Sequence, residues 1–312
     1  METSLVFIAC ILLSATQAAD WSYKGANGPS NWKNDYSTCG GSKQSPINIV
    51  SGDVVKDENL ANIKVSASYS TKPSGSWTIK NNGHSVGVTT STGDYTLSEG
   101  GLGATYKLAQ FHFHWGSTDS KGSEHTMDGK EYPLEIHFVH YNSKYADLTT
   151  AIDKSDGLAV LGFFFEVDGS DNAAMQPIVD KLSSVTNKDD TATIDPMILL
   201  DLMGGDAATF SEFYRYSGSL TTPGCYESVT WTVFEKTVKI SSSQLATFRT
   251  LKDSDGATME DNYRPVLAVG DRTVSAKHVG KNSAPSIGKS SASAMSILGL
   301  LATIAIVFVK SF

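Results

Sequence analysis

The hydrophobic and polar positions of the central part of the chain alternate with a period of two, which is the pattern of β-strands. Helical patterns are short, as at 172–182 and 241–251, and turn signals such as Asp128-Gly129 are frequent. We therefore expect a mainly β fold, with a large, mostly antiparallel sheet and short peripheral helices. The predicted strands cover residues 76–79, 84–89, 106–115, 134–141, 159–167 and 227–234.

An apolar run at 5–13 is followed by small residues and by Thr16-Gln17-Ala18-Ala19. This order is typical of a secretory signal peptide that ends at residue 19, although Glu2 and no basic residue precede the run. The alternative is a buried N-terminal helix. The polar segment that begins at Asp20 follows at once and favours the signal peptide.

A second apolar run covers 295–309, which is shorter than the roughly 20 residues of a membrane-spanning helix. Small residues near Asn282 and Ser283 and a polar spacer precede it, as in a glycolipid-anchor signal. The anchor would be attached at Asn282 or Ser283, and residues 283–312 would be its spacer and hydrophobic signal. A short single-pass helix and a buried C-terminal helix remain as alternatives. The mature catalytic domain would be 20–282, on the extracellular face of the plasma membrane.

Three histidines lie on predicted strands in a spacing that indicates a metal site. His112 and His114 are two residues apart, so they share one face of their strand, and a neighbouring strand can add His137. Three imidazoles leave one zinc position open, as in catalytic zinc sites. Gln110 and Glu135 have the same parity and can accept the second ring N–H of these ligands. The alternative is a set of core histidines that bind no metal.

Segments around these histidines resemble the alpha-class carbonic anhydrases, in the family's order, over roughly residues 21–280. The resemblance extends to the secreted, glycolipid-anchored members. It implies the family's twisted sheet of about ten strands, with zinc at the bottom of a conical cavity. The matching segments are NGPSNW (27–32), QSPINI (44–49), NNGH (81–84), QFHFHWGS (110–117), SEHTMDGKEYPLEIHFVHYN (123–142), GLAVLG (157–162), GSLTTPGC (218–225), ESVTW (227–231) and DNYRP (261–265).

The resemblance implies the reversible hydration of carbon dioxide to bicarbonate and a proton, with a zinc-bound hydroxide as nucleophile. Thr221 would orient this hydroxide and donate its own proton to Glu124. His84 would carry the released proton to buffer, since a histidine titrates near neutral pH. Tyr23 and Asn82 would order the intervening waters.

Further positions receive roles from the same resemblance. The carbonyl of Asn262 would accept a hydrogen bond from His114. Gly87 stands where many members carry a polar side chain along the water chain, and Gly224 replaces a proline. Without the resemblance, the apolar residues of the predicted substrate pocket would be read as ordinary core. The substrate pocket would contain Val139, Val160, Leu220, Thr221, Thr222, Val229 and Trp231.

Cysteine use agrees with an oxidising compartment. Cys10 falls in the predicted signal peptide, which leaves Cys39 and Cys225. Secreted and membrane-bound members of the family pair cysteines at these positions, so we expect one disulfide. Two free buried thiols are the alternative.

The net charge of −8 comes with no basic cluster, so nucleic acid is not an expected partner. The expected partners are carbon dioxide, bicarbonate and a membrane, and the sequence indicates no protein partner. Two other functions were considered. A non-catalytic recognition ectodomain of this fold is disfavoured because the zinc histidines are present. A cupin-type metal site is disfavoured because Thr118 and Asp119 stand where it needs a glutamate.

Overall fold

The computed structural model describes residues 20–205 and 210–277. The predicted signal peptide, the anchor site at Asn282 or Ser283 and the C-terminal apolar run lie outside these residues. Within the described ranges, no helix has both the length and the apolar character needed to cross a membrane.

Short strands and very short helices make up the described chain, and the predicted mainly β class is confirmed. The strands are β1 Asn48–Ile49, β2 Val55–Lys56, β3 Ile63–Val65, β4 Trp77–Asn81, β5 Val86–Thr89, β6 Thr96–Glu99, β7 Tyr106–Trp115, β8 Thr126–Met127, β9 Leu134–Asn142, β10 Leu158–Asp168, β11 Thr191–Ile194, β12 Phe213–Gly218, β13 Val229–Ser241 and β14 Ser275–Ala276. The α-helices are α1 Trp32–Asp35, α2 Leu148–Ala151, α3 Gln176–Leu182, α4 Leu199–Leu202 and α5 Ser242–Phe248, and 3-10 helices cover Gly25–Asn27, Ser37–Gly40, Ser51–Asp53 and Ala67–Ser70.

Twelve of these strands form one mixed sheet, in the order β11-β4-β5-β7-β9-β10-β13-β12-β14-β2, with β3 and β6 joined to it through β7. Most neighbours in this sheet are antiparallel; β10–β13 and β14–β2 are its parallel pairs, and β1 and β8 form a separate parallel pair. The sheet has more strands than the expected ten or so because short strands extend it, such as β2 and β14 with two residues each.

Alternate side chains of the central strands pack on opposite faces of the sheet. Phe111, Phe113 and Trp115 of β7 enter the larger hydrophobic core, as their parity predicts. His112 and His114 lie on the other face. Each large apolar side chain that is fully buried contributes about 1.5–3 kcal/mol to folding, so this core fixes the face on which the histidines lie.

One row of directly opposed residues crosses the sheet through the predicted metal ligands. Lys80 of β4 lies opposite Gly87 of β5, and Gly87 lies opposite His112 of β7. His112 is opposite His137 of β9, and His137 is opposite Gly162 of β10. Opposed residues share a face, so the row brings two histidines together with a glycine on either side.

The predicted disulfide is present, between Cys39 and Cys225, 186 residues apart in sequence. Closing so long a loop contributes on the order of 5 kcal/mol in the chain-entropy account. Both cysteines pack with Trp32 in a small apolar cluster. The bridge therefore ties the N-terminal segment to the loop that precedes β13.

Candidate active site

His112 and His114 each donate the N–H of Nδ1 to a neighbouring oxygen. Nδ1 of His114 lies 2.8 Å from the carbonyl oxygen of Asn262, and Nδ1 of His112 lies 3.0 Å from Oε1 of Gln110. Because a carbonyl oxygen only accepts, each Nδ1 carries the proton and each Nε2 keeps its lone pair. Nε2 of His114 is buried and has no hydrogen-bond partner among the described residues.

His137 is held in the opposite tautomer by Glu135. Oε1 of Glu135 lies 2.7 Å from Nε2 of His137 and 2.8 Å from Nδ1 of His125. The ring proton of His137 is therefore on Nε2, and its lone pair is on Nδ1. Although burial raises the pKa of Glu135, its interactions with the two histidines hold that pKa well below the usual range. Glu135 is accordingly a carboxylate that can accept from both rings.

The candidate ligand atoms of His112, His114 and His137 lie within 4.8 Å of one another. Burial lowers the pKa of all three, that of His114 to about 4. They are therefore neutral at pH 7, which is the form that binds metal. Three converging lone pairs, one on a buried nitrogen that has no partner among the described residues, form a donor set that suits zinc.

A second group that could hold a metal consists of His125, Glu135 and His137. Here the carboxylate already accepts a ring N–H from each histidine. The nitrogens that face the carboxylate therefore carry protons and cannot bind a cation at the same time. The first group is the better candidate for the metal.

Glu124 lies beside the three histidines in a fully buried position. Its Oε2 is 3.4 Å from Nε2 of His114 and 3.8 Å from Nδ1 of His137. Its Oε1 accepts a 2.9 Å hydrogen bond from the backbone N–H of Arg264. Burial raises the pKa of Glu124 to about 7, although His137, the Arg264 N–H and the Thr221 hydroxyl act to lower it. The structure thus brings Glu124 and Thr221 together at the histidines.

Thr221 is buried in the loop between β12 and β13. Inside this loop the N–H of Cys225 donates a 2.9 Å hydrogen bond to the carbonyl of Thr222. Gly224 has a φ of +97°, which a proline, fixed near −65°, could not adopt. The glycine therefore belongs to this turn, and the disulfide of Cys225 with Cys39 attaches the turn to the N-terminal segment.

The apolar residues predicted to receive substrate form one cluster on the face of the sheet that carries the histidines. Trp231 contacts His137, with ring centroids 4.8 Å apart. Val160 lies opposite both Val139 and Trp231 in the strand register. The buried members are Val139, Val160, Val229 and Trp231, with Leu220 packed against them.

A cavity of about 330 Å³ borders two of the candidate metal ligands. Tyr23, Asn82, His84 and Thr222 line it together with His112 and His114. The structure therefore places the predicted proton carrier, the residues predicted to order water, and one residue of the predicted substrate pocket around the same space.

The imidazole of His84 stacks on Trp21, with ring centroids 3.7 Å apart and planes inclined by 12°. Burial and, to a smaller extent, Lys188 lower the pKa of His84 to about 4, against three nearby aspartates that raise it. In this position His84 is neutral at pH 7 and is a weak proton acceptor. A ring that regains contact with water would have a pKa closer to 6.5.

Sequence reasoning missed three residues around this site: Trp21, Lys80 and Arg264. Trp21 could have been suspected because it stands two positions before Tyr23. Arg264 lies in the matching DNYRP segment, two positions after Asn262, but the resemblance gave it no role. No sequence feature pointed to Lys80, because only strand pairing places it in the cross-strand row that contains His112.

The fold and the site define a mainly β protein with a candidate three-histidine metal centre beside a cavity. The family model of the eukaryotic-type carbonic anhydrases matches residues 27–278, which is more than half of the 312 residues. The chain belongs to this family, the alpha class of carbonic anhydrases. The family's reaction is the hydration of carbon dioxide, and its metal is zinc.

Proposed function

We propose that this chain catalyses the reversible hydration of carbon dioxide to bicarbonate and a proton, using zinc held by His112, His114 and His137. The convergence of three lone pairs in neutral, buried imidazoles carries the proposal. Zinc, when bound by three histidines, lowers the pKa of its open-site water to about 7, as is established for carbonic anhydrase itself. The family match supports the assignment.

Thr221 and Glu124 orient the nucleophile in this proposal. Oε1 of Glu124 is already held by the Arg264 N–H, so Oε2 remains to accept the proton of the Thr221 hydroxyl. A hydroxyl that donates to a carboxylate can only accept from its other neighbour. Thr221 therefore selects a nucleophile that donates a hydrogen bond. The apolar cluster around Val139 and Trp231 receives carbon dioxide, which has no net charge or dipole.

His84 moves the proton that hydration releases. It lines the cavity with two of the proposed metal ligands, and Tyr23 and Asn82 line the same cavity. The stacked position on Trp21, with its lowered pKa, favours release of the proton rather than its capture.

We further propose that residues 1–19 are a signal peptide, that 20–282 is the catalytic domain and that 283–312 direct a glycolipid anchor at Asn282 or Ser283. The disulfide supports an oxidising compartment. The enzyme would then act at the extracellular face of the plasma membrane. The alternative attachment is a short single-pass helix.

Stopped-flow measurement of carbon dioxide hydration by purified 20–282, with metal analysis of the same sample, tests the proposed activity. The expected result is about one zinc per chain and hydration far above the uncatalysed rate. Zinc-loaded protein without hydration activity would instead assign the chain to the non-catalytic recognition ectodomains.

A further inference from the structure

The sheet leaves a gap between His112, a proposed metal ligand, and the positively charged Lys80. This gap lies on the side of His112 away from His137. Lys80, Gly87 and His112 are successive members of one cross-strand row, and all three line the cavity. Two strand spacings separate the backbones of Lys80 and His112, about 10 Å. Gly87 places no side chain between them. We call this gap, with Thr89 and Gln110 beside it, the Gly87 notch.

The fold does not require a glycine at the floor of the notch. A Cβ at position 87 would meet the carbonyl oxygen of Phe111 at 3.4 Å and Cβ of His112 at 3.5 Å, which are ordinary contacts. The φ of Gly87 is not in the left-handed region. A larger residue could therefore occupy this position, and the glycine has the effect of keeping the wall open.

The polar groups around the notch are predominantly hydrogen-bond donors. The side-chain oxygen of Asn82 accepts from two backbone N–H groups at 2.9 and 2.8 Å, and that of Gln110 accepts from His112 at 3.0 Å. Their amide NH₂ groups are left to donate. None of the described residues that line this cavity is an aspartate or a glutamate. The lining is therefore suited to an anion.

Lys80 supplies the positive charge. Its ammonium has three N–H donors, and Asp189 accepts from it at 2.8 Å. The side chains of this pair are 47% and 66% exposed, and such exposed pairs contribute only about 0–1 kcal/mol. The pairing therefore leaves Lys80 able to donate to a second anion inside the cavity.

We propose that the Gly87 notch binds the carboxylate of an organic anion whose other end occupies the metal centre. The ligand class is a small molecule with a metal-binding head and a carboxylate beyond a spacer of about one aromatic ring. The head group depends on the proposed zinc site, whereas the carboxylate depends on Lys80 and the open wall at Gly87.

Calorimetric titration of the zinc-loaded enzyme with two ligands tests whether the charge of Lys80 attracts a carboxylate. The ligands are a benzenesulfonamide that carries a carboxylate on its para substituent and the carboxamide of the same shape. The carboxylate should bind about two- to fivefold more tightly, the range of an exposed ion pair, and the preference should decrease with added salt. Lys80→Gln should abolish it. Lys56→Gln, which removes the same charge at the opposite edge of the sheet, should preserve it.

Filling the notch gives an independent measurement. Gly87→Leu should weaken both para-substituted ligands severalfold relative to unsubstituted benzenesulfonamide, whereas Gly87→Ala should have little effect. A carboxylate preference that survives Lys80→Gln, or that is absent in the wild type, overturns the proposal that the Gly87 notch binds a carboxylate. Failure of unsubstituted benzenesulfonamide to bind at all would instead contradict the proposed zinc centre.

Discussion

The backbone N–H of Arg264 donates a 2.9 Å hydrogen bond to Oε1 of Glu124, the buried acid beside the proposed metal ligands. The guanidinium of the same residue donates to the carbonyl oxygens of Ser45 at 2.9 Å and Cys39 at 3.1 Å, and to Oε1 of Gln44 at 2.9 Å. Arg264 thus connects the acid of the site to the segment that carries the disulfide. We infer that it positions Glu124 and does not itself contact substrate.

Replacing Arg264 by Met should lower the free energy of unfolding by about 3 kcal/mol, because buried acceptors lose a charged donor. Denaturant unfolding of 20–282 measures this loss. Arg272→Met is the matched control, since Arg272 also donates to backbone carbonyls but is more exposed, and its loss should be smaller. Equal losses in the two variants would contradict the special position of Arg264.

The metal ligands give a second prediction. His112→Ala, His114→Ala and His137→Ala should each lower the zinc content of the purified protein well below one per chain and remove most hydration activity, because each takes away one of three ligands. Metal analysis after dialysis against a weak chelator measures this. His84→Ala should retain full zinc. Full activity in any ligand variant would rule out the proposed centre.

His84→Ala should lower kcat in dilute buffer by on the order of 100-fold, since it removes a proton-transfer group, while kcat/KM stays nearly constant. Added imidazole should restore much of the loss, because a small base can enter the cavity and accept the proton. Stopped-flow rates over a range of buffer concentrations measure both quantities. If kcat/KM falls as far as kcat, His84 belongs to the site that handles carbon dioxide and is not a proton carrier.

Alternation along the strands was sufficient to predict the two faces of β7. A period of two separates His112 and His114 from Phe111 and Phe113 whatever the neighbouring strands are. Helix boundaries were less certain. The pattern predicted a helix over 172–182, but α3 begins at Gln176, where a proline in the first turn favours a helix start.

The relations between distant segments could not be read from alternation. The row from Lys80 through Gly87 to His112 depends on the order and register of three strands, which tertiary packing decides. The stacking of Trp21 on His84 likewise depends on how the N-terminal segment folds back over the sheet. The family resemblance indicated roles for Thr221 and Glu124, whereas it did not indicate the charge that Lys80 brings to the cavity.

The attachment to the membrane can be decided in animal cells. If a glycolipid anchor is added at Asn282 or Ser283, a phosphatidylinositol-specific phospholipase should release the enzyme from the cell surface, and the mature chain should lack residues 295–312. Activity in the medium and peptide mapping measure this. Enzyme that stays bound and retains peptides from 295–312 would establish the short transmembrane helix instead.

The contact between Trp21 and His84 gives the last prediction. Burial is the largest cause of the low pKa of His84, about 4, and the indole of Trp21 stacks on its ring. Trp21→Ala should therefore raise that pKa toward 6.5, because the ring regains contact with water. Lys188→Gln should also raise it, by less, since it removes only a repelling charge. NMR titration of the His84 ring protons measures both shifts, and Trp21→Phe, which keeps an aromatic ring in place, is the control. A His84 pKa that stays near 4 in Trp21→Ala would show that the stacked indole does not set the basicity of this histidine.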